Sequence, residues 1–200
     1  PPRSTPKPSS AASDVYKRQV ERGGKAVLLP APAGSGKTLL VLGLVKSGFK
    51  FLSDDVALVD MEKASLQPFP VSPVVKGYAF SLLRELDLSI GADIYRNPLD
   101  GEKLYYFNLT DISPDPVGLP SSVRFIFFPR HDPAVESCLR PVSRAEAAAR
   151  IIENSLNFDT SADCFLDLVT RLVAGTDCFD LRFKQIGEAL RIIAEVSLGS

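Results

Sequence analysis

From Val20 onward the chain alternates short apolar runs with polar, glycine- or proline-bearing breaks. Ala26-Val27-Leu28-Leu29 is a continuous apolar run, which predicts a buried strand over Lys25–Leu29. Val20-Glu21-Arg22 ahead of it predicts the end of another strand, with Gly23-Gly24 as the hairpin turn between them. Leu39 to Val45 is apolar nearly all round, so the helix predicted over Lys37–Lys46 is a buried one. Ser47-Gly48 ends it, Gly48 suiting the left-handed cap position. Short strands follow at Phe49–Ser53 and Val56–Asp60, and Pro68, Pro70 and Pro73 make 67–73 extended and irregular. Phe80, Leu82, Leu83 and Leu86 have helical spacing within Ala79–Leu88. A turn at Asn97–Gly101, a strand at Leu104–Phe107 and a proline-rich loop at Ser113–Pro120 come next. Val123–Phe128 predicts a central strand, and Glu136–Val142 a further one. Ser143-Arg144-Ala145-Glu146 is a capping box before a helix over Ala147–Leu156. Phe165, Leu168, Val169 and Leu172 share a face of a helix over Ala162–Ala174, followed by a strand at Cys178–Phe183 and a last helix at Ile186–Val196. Strands and helices alternate at first and then mix, which predicts an α/β domain over 20–200, its mixed sheet flanked by helices.

The first nineteen residues break this pattern. Pro1–Gln19 is rich in Pro and Ser and has no periodicity, which predicts a disordered tail. Ser9–Gln19 also reads as the in-frame translation of a transposase-type sequencing adapter, and Pro1–Thr5 as that of the flow-cell end of the same oligonucleotide. On this reading residues 1–19 are not native, and the natural chain enters at Val20 with an N-terminal part missing.

Composition narrows the classes. The 200 residues are 45% hydrophobic and 24% charged, enough apolar content for one sizeable core. A net charge of −1 predicts no broad basic surface for nucleic acid. No apolar run reaches the length of a membrane span, and no signal peptide stands out. Cys138, Cys164 and Cys178 lack C-x-x-C spacing and read as reduced thiols, which predicts a cytoplasmic protein. His131 reads as loop surface, and Tyr105-Tyr106-Phe107 as core.

One stretch carries chemistry. Ala31-Pro32-Ala33-Gly34-Ser35-Gly36-Lys37-Thr38 follows a predicted strand and opens a predicted helix, the context of a phosphate-binding P-loop. Backbone N–H groups of such a turn and of the helix N-terminus converge on anionic oxygens. Gly34 and Gly36 let the backbone curl closely. Ala33 to Leu39 supply the cradle, Lys37 a charge for the β/γ-phosphates, and Thr38 a hydroxyl for Mg²⁺. Ala31 stands where the motif has its first glycine.

Asp54-Asp55 closes the strand after the P-loop helix. In a parallel α/β unit that strand lies beside the P-loop strand and ends at the same crevice, bringing two carboxylates toward the γ-phosphate. Phosphoryl transfer needs a metal ligand and a proton acceptor, and adjacent aspartates can divide those roles. A pair of turn-forming aspartates is the structural alternative. Lys76 and Arg130 are secondary candidates for contact with phosphate or transferring charge. The chain has no four-residue apolar run ending in Asp-Glu further on, no Leu-Ser-Gly-Gly-Gln, and no Asn-Lys-x-Asp.

Val27–Thr38 together with Gly48–Asp55 resembles the C-terminal catalytic domain of HPr kinase/phosphorylase, and more closely the HPr kinase-related proteins. Pro68–Lys76, Phe127–Arg130 and Leu139–Ser143 are similar to that related group as well. The resemblance implies a phosphoenolpyruvate-carboxykinase-like P-loop sheet, ATP with Mg²⁺, and phosphorylation of a Ser/Thr in a protein or peptide. It implies Lys37 on the phosphates, Thr38 and Asp54 on Mg²⁺ with Asp55 as base, or the two aspartates exchanged, and assembly into homo-oligomers. It also implies a His upstream of the P-loop strand, before Val20. Pro73–Gly77 with Lys76 stands where true HPr kinases carry a Glu-x-Arg-Gly-type segment. Two rival readings remain: a nucleotide-binding regulatory or scaffold module without transfer, and a P-loop ATPase.

Overall fold

The computed structural model describes residues 15–32, 35–54, 56–60, 62–88, 92–153 and 162–199. A tight hairpin sets the frame. Strands β1 (Val15–Arg22) and β2 (Lys25–Pro30) pair antiparallel across Gly23-Gly24, whose φ angles are +60° and +78°. Positive φ at both central residues is what a two-residue hairpin turn requires, and glycine adopts it without a side-chain penalty.

The strand ladder grows on both sides of this hairpin. On the β1 edge lie β3 (Lys50–Ser53) and β4 (Val56–Asp60), both antiparallel to β1. Gln19 faces Ser53 and Tyr16 faces Val56, so β3 and β4 follow one another along the same edge. Strand β5 (Ser65–Gln67) pairs with β4 and returns to touch β9 at Ser121 and Ser122. On the other side β9 (Ser121–His131) runs parallel to β2, β11 (Asp177–Phe183) runs parallel to β9, and β10 (Cys138–Pro141) closes that edge antiparallel. A separate antiparallel sheet holds β6 (Val74–Lys76), β8 (Lys103–Phe107) and β7 (Ala92–Arg96) in that spatial order.

Both faces of the main sheet are covered, which explains the unbroken apolar runs of β2 and β9. Val27, Leu29, Phe125 and Phe127 pack with α1 (Lys37–Lys46) and α5 (Ile186–Leu198). Ala26, Leu28, Ile126 and Phe128 pack on the opposite face with α3 (Arg144–Glu153) and α4 (Ala162–Ala174). Helix α2 (Phe80–Glu85) joins the first core through Leu83. Gly43 lets α1 meet α5 closely, since a Cβ there would lie 2.4 Å from Leu190 Cδ1. Gly48 has φ +93°, and Glu146 N–H donates to the Ser143 hydroxyl at 3.2 Å, as their positions at helix ends predict. Tyr105 and Phe107 are buried, whereas Tyr106 is exposed. Among the described residues no helix is long and apolar enough to cross a membrane.

Three expectations change. Val15–Gln19 belong to a paired strand and are not tail. Ladder hydrogen bonds come from the main chain, and β2 and β3 both present an edge that β1 fills. Residues 1–14 lie outside the described residues. Second, β3 does not lie beside β2, because β1 stands between them. Two successive antiparallel pairings still leave β3 running in the direction of β2, so both strands end on the same side. Third, β5, β6 and β7 are strands that periodicity did not reveal.

Candidate active site

The site begins where β2 turns into α1. Gly36 sits at the helix N-cap with φ +82° and ψ 7°, a left-handed conformation that costs an L-residue about 1–2 kcal/mol. From there Leu40 N–H closes the first helical bond onto Gly36 C=O at 3.1 Å. The N–H groups of a helix's first turn have no carbonyl one turn back, so they serve anions in front of the helix.

The loop folds its polar groups inward. Lys37 is 5% exposed, and its ammonium donates to Pro32 C=O and, at 3.2 Å, to Ser35 Oγ. Ser35 Oγ donates to the same carbonyl at 2.9 Å. Leu39 is a core side chain, so only its main chain can serve a phosphate. Ala33 and Gly34 lie outside the described residues.

Asp54 reaches this loop from β3. It follows Ser53 at the point where the pairing of β1 with β3 shifts register, between Gln19 and Val20. Such irregularities re-aim side chains. Thr38 Oγ1 lies 3.4 Å from Asp54 Oδ2, and Asp54 is 5% exposed. The carboxylate also takes a guanidinium: Arg18 Nε donates to Oδ1, and Arg18 Nη2 lies 3.4 Å from Oδ2. Arg18 is placed by simple counting. The two-residue hairpin sets Arg22 opposite Lys25, which puts Arg18 opposite Leu29, at the end of β2 that leads toward α1. The expected tail concealed that register.

The donors suit a hard divalent cation. A hydroxyl and a carboxylate oxygen are the ligand types that Mg²⁺ takes, with water and substrate phosphates completing its octahedron. Adjacent ligands of such an octahedron stand roughly 3 Å apart, close to the 3.4 Å between Thr38 Oγ1 and Asp54 Oδ2. Among the described residues no group of three His, Cys, Asp or Glu side chains forms a metal cage.

The other candidates fare differently. Asp55 lies outside the described residues. Lys76 is exposed on the small sheet, with its ammonium 3.2 Å from Glu102. Arg130 does not follow the end of a strand, because β9 continues to His131. By the two-residue alternation of a strand, Arg130 shares the face of Phe128 and points away from α1. His131 shares the face of α1 instead. Its ring lies 5.4 Å from that of Phe183, and its Nε2 is 3.1 Å from Lys184 C=O. Phe183 Cζ in turn stands 3.7 Å from where a Gly36 Cβ would be. His131 thus stands near the β2–α1 turn, on a strand that Pro129 conceals in the sequence.

No family model matches this chain, and no curated protein does. Among solved structures, it is similar to the Hpr(Ser) kinase/phosphatase from Coxiella burnetii, at 12% identity and a TM-score of 0.41, over 94% of this chain and 99% of that one.

Proposed function

We propose that this protein is an ATP-dependent kinase that transfers the γ-phosphate to a Ser/Thr hydroxyl of a protein or peptide. The observation that carries the reading is the meeting of Thr38 and Asp54, 3.4 Å apart, in front of the α1 N-terminus beside a buried Lys37. Those are the parts that phosphoryl transfer asks of a protein: donors for the phosphates, ligands for a cation, and carboxylate at the acceptor.

The roles follow from chemistry. Main-chain N–H groups of Ser35 to Leu39 hold the β-phosphate, and Lys37 turns from Pro32 C=O to the β/γ oxygens. Thr38 and Asp54 would hold Mg²⁺, which would supply positive charge against that of the phosphates. Asp55 accepts the proton of the acceptor hydroxyl as its oxygen bonds to the γ-phosphorus, the bridging P–O bond breaks, and ADP leaves. The motif resemblance to HPr kinase-related proteins supports the same assignment.

Binding is tested first. Mg-ATP at 100 times its dissociation constant stabilises the fold by about 2.7 kcal/mol, and Lys37→Ala removes that gain. A melting curve indifferent to Mg-ATP contradicts the reading. Transfer is tested with γ-labelled ATP and neighbouring gene products. A second reading, nucleotide binding without transfer, draws support from Arg18, which neutralises the cation-binding carboxylate. Label that never reaches a protein favours it.

A further inference from the structure

Strands β9 and β11 both run parallel to β2 and both outlast it. Leu28 faces Ile126, so Pro30, the last residue of β2, is level with Phe128. β9 then runs three residues further, to His131, which is paired with Phe183 of β11. Three residues of strand are about 10 Å. The two strand ends therefore stand as a ledge beside the P-loop, on the side opposite Asp54.

The top of the ledge is aromatic. His131 is exposed and braced from two directions, by the Phe183 ring at 5.4 Å and by Lys184 C=O at 3.1 Å. Phe183 is fully buried and reaches under Gly36. One continuous contact thus links the phosphate-binding turn to the exposed imidazole. The other flank is taken: Asp54 is buried there against Thr38, and the half-buried Arg18 pairs with it. A triphosphate whose terminal end lies at Asp54 must send its nucleoside toward β9. From β3 to β9 is three strand spacings, about 14 Å, on the scale of an extended nucleoside triphosphate.

We propose that His131 is the stacking platform for the purine base of the bound nucleotide. This rests on the nucleotide-binding reading and adds to it the place of the base. Stacking uses the face of the ring, which every base offers, so the platform tolerates both purines. ATP and GTP then bind within a few-fold of one another.

The test compares Mg-ATP with Mg-tripolyphosphate by calorimetry on the whole chain, His131→Ala and His131→Phe. The exposed position keeps all three folded, which melting curves check. The expected result is about tenfold weaker Mg-ATP binding by His131→Ala, unchanged tripolyphosphate binding, and Mg-ATP binding kept by His131→Phe. Equal Mg-ATP affinity in wild type and His131→Ala overturns the platform and leaves the P-loop reading standing. So does a loss shared by both ligands. Failure of the wild type to bind either ligand overturns the nucleotide reading and the platform with it.

Discussion

If Asp54 holds a divalent cation, as proposed, Arg18 competes with that cation for one carboxylate, and replacing Arg18 measures the contest. Arg18→Gln removes the guanidinium from an Asp54 side chain that is 6% exposed, while the Arg18 side chain itself is 16% exposed. Exposed ion pairs contribute about 0–1 kcal/mol, and breaking a fully buried one costs about 3–5 kcal/mol. A pair at this depth falls between, at about 2 kcal/mol, which is roughly 30-fold in a dissociation constant. On the proposed reading, Mg²⁺ between Thr38 and Asp54 Oδ2 meets the charge of the guanidinium held on Oδ1, so Arg18→Gln tightens Mg²⁺ binding by up to about that factor. The variant also takes the guanidinium away from the buried Asp54. Its melting temperature without metal falls by about 4–8 °C, at 2–4 °C per kcal/mol for a chain of this size, and Mg²⁺ restores it. Calorimetric titration with Mg²⁺ reads the affinity, and melting with and without metal reads the rescue. Equal or weaker Mg²⁺ affinity in the variant refutes the competition.

Three further outcomes follow from local geometry. Gly36→Ala has room, since its nearest contact is 3.7 Å away, but φ +82° makes the backbone unfavourable; it lowers stability by about 1–2 kcal/mol and weakens tripolyphosphate binding measured by calorimetry. Gly43→Val drives side-chain atoms into Leu190 and lowers the melting temperature through overpacking of about 1–3 kcal/mol, and Leu190→Ala in the same chain recovers part of it. At pH near 8 a thiol reagent labels exposed Cys164 first, while Cys178 stays unlabelled until denaturant is added. Burial holds the Cys178 thiol above its ordinary pKa against the lesser opposing effect of the Thr176 hydroxyl, so its reactive thiolate is scarce in the fold.

Local signals and long-range ones were unequally legible in the sequence. The Gly23-Gly24 hairpin, the buried α1 and the Gly48 cap depend on neighbours in the chain, and each lies where residue type alone places it. The meeting of Thr38 with Asp54 follows from strand direction, although β1 intervenes between β2 and β3. The short strands β5, β6 and β7 span three to five residues, too few for a period, and the exposed Ile94 and Tyr95 blur the alternation of β7. His131 was hidden by Pro129, which reads as a strand stop. In the sheet Pro129 lies just beyond the level of Pro30, where β2 has ended and a ladder donor is no longer needed on that side. Arg18 was hidden by the composition of its segment, although backbone pairing takes any side chain and the hairpin register leads to it.

The central claim is that Asp54 serves phosphoryl transfer. Its most direct test is incubation of this chain, of Arg18→Gln, and of each with Asp54→Asn, with γ-labelled ATP, Mg²⁺ and the products of neighbouring genes. The expected result is label on a Ser or Thr of a protein, more of it with Arg18→Gln, and none with Asp54→Asn. Tight Mg-ATP binding with no labelled protein in any of the four, or label that survives Asp54→Asn, contradicts it.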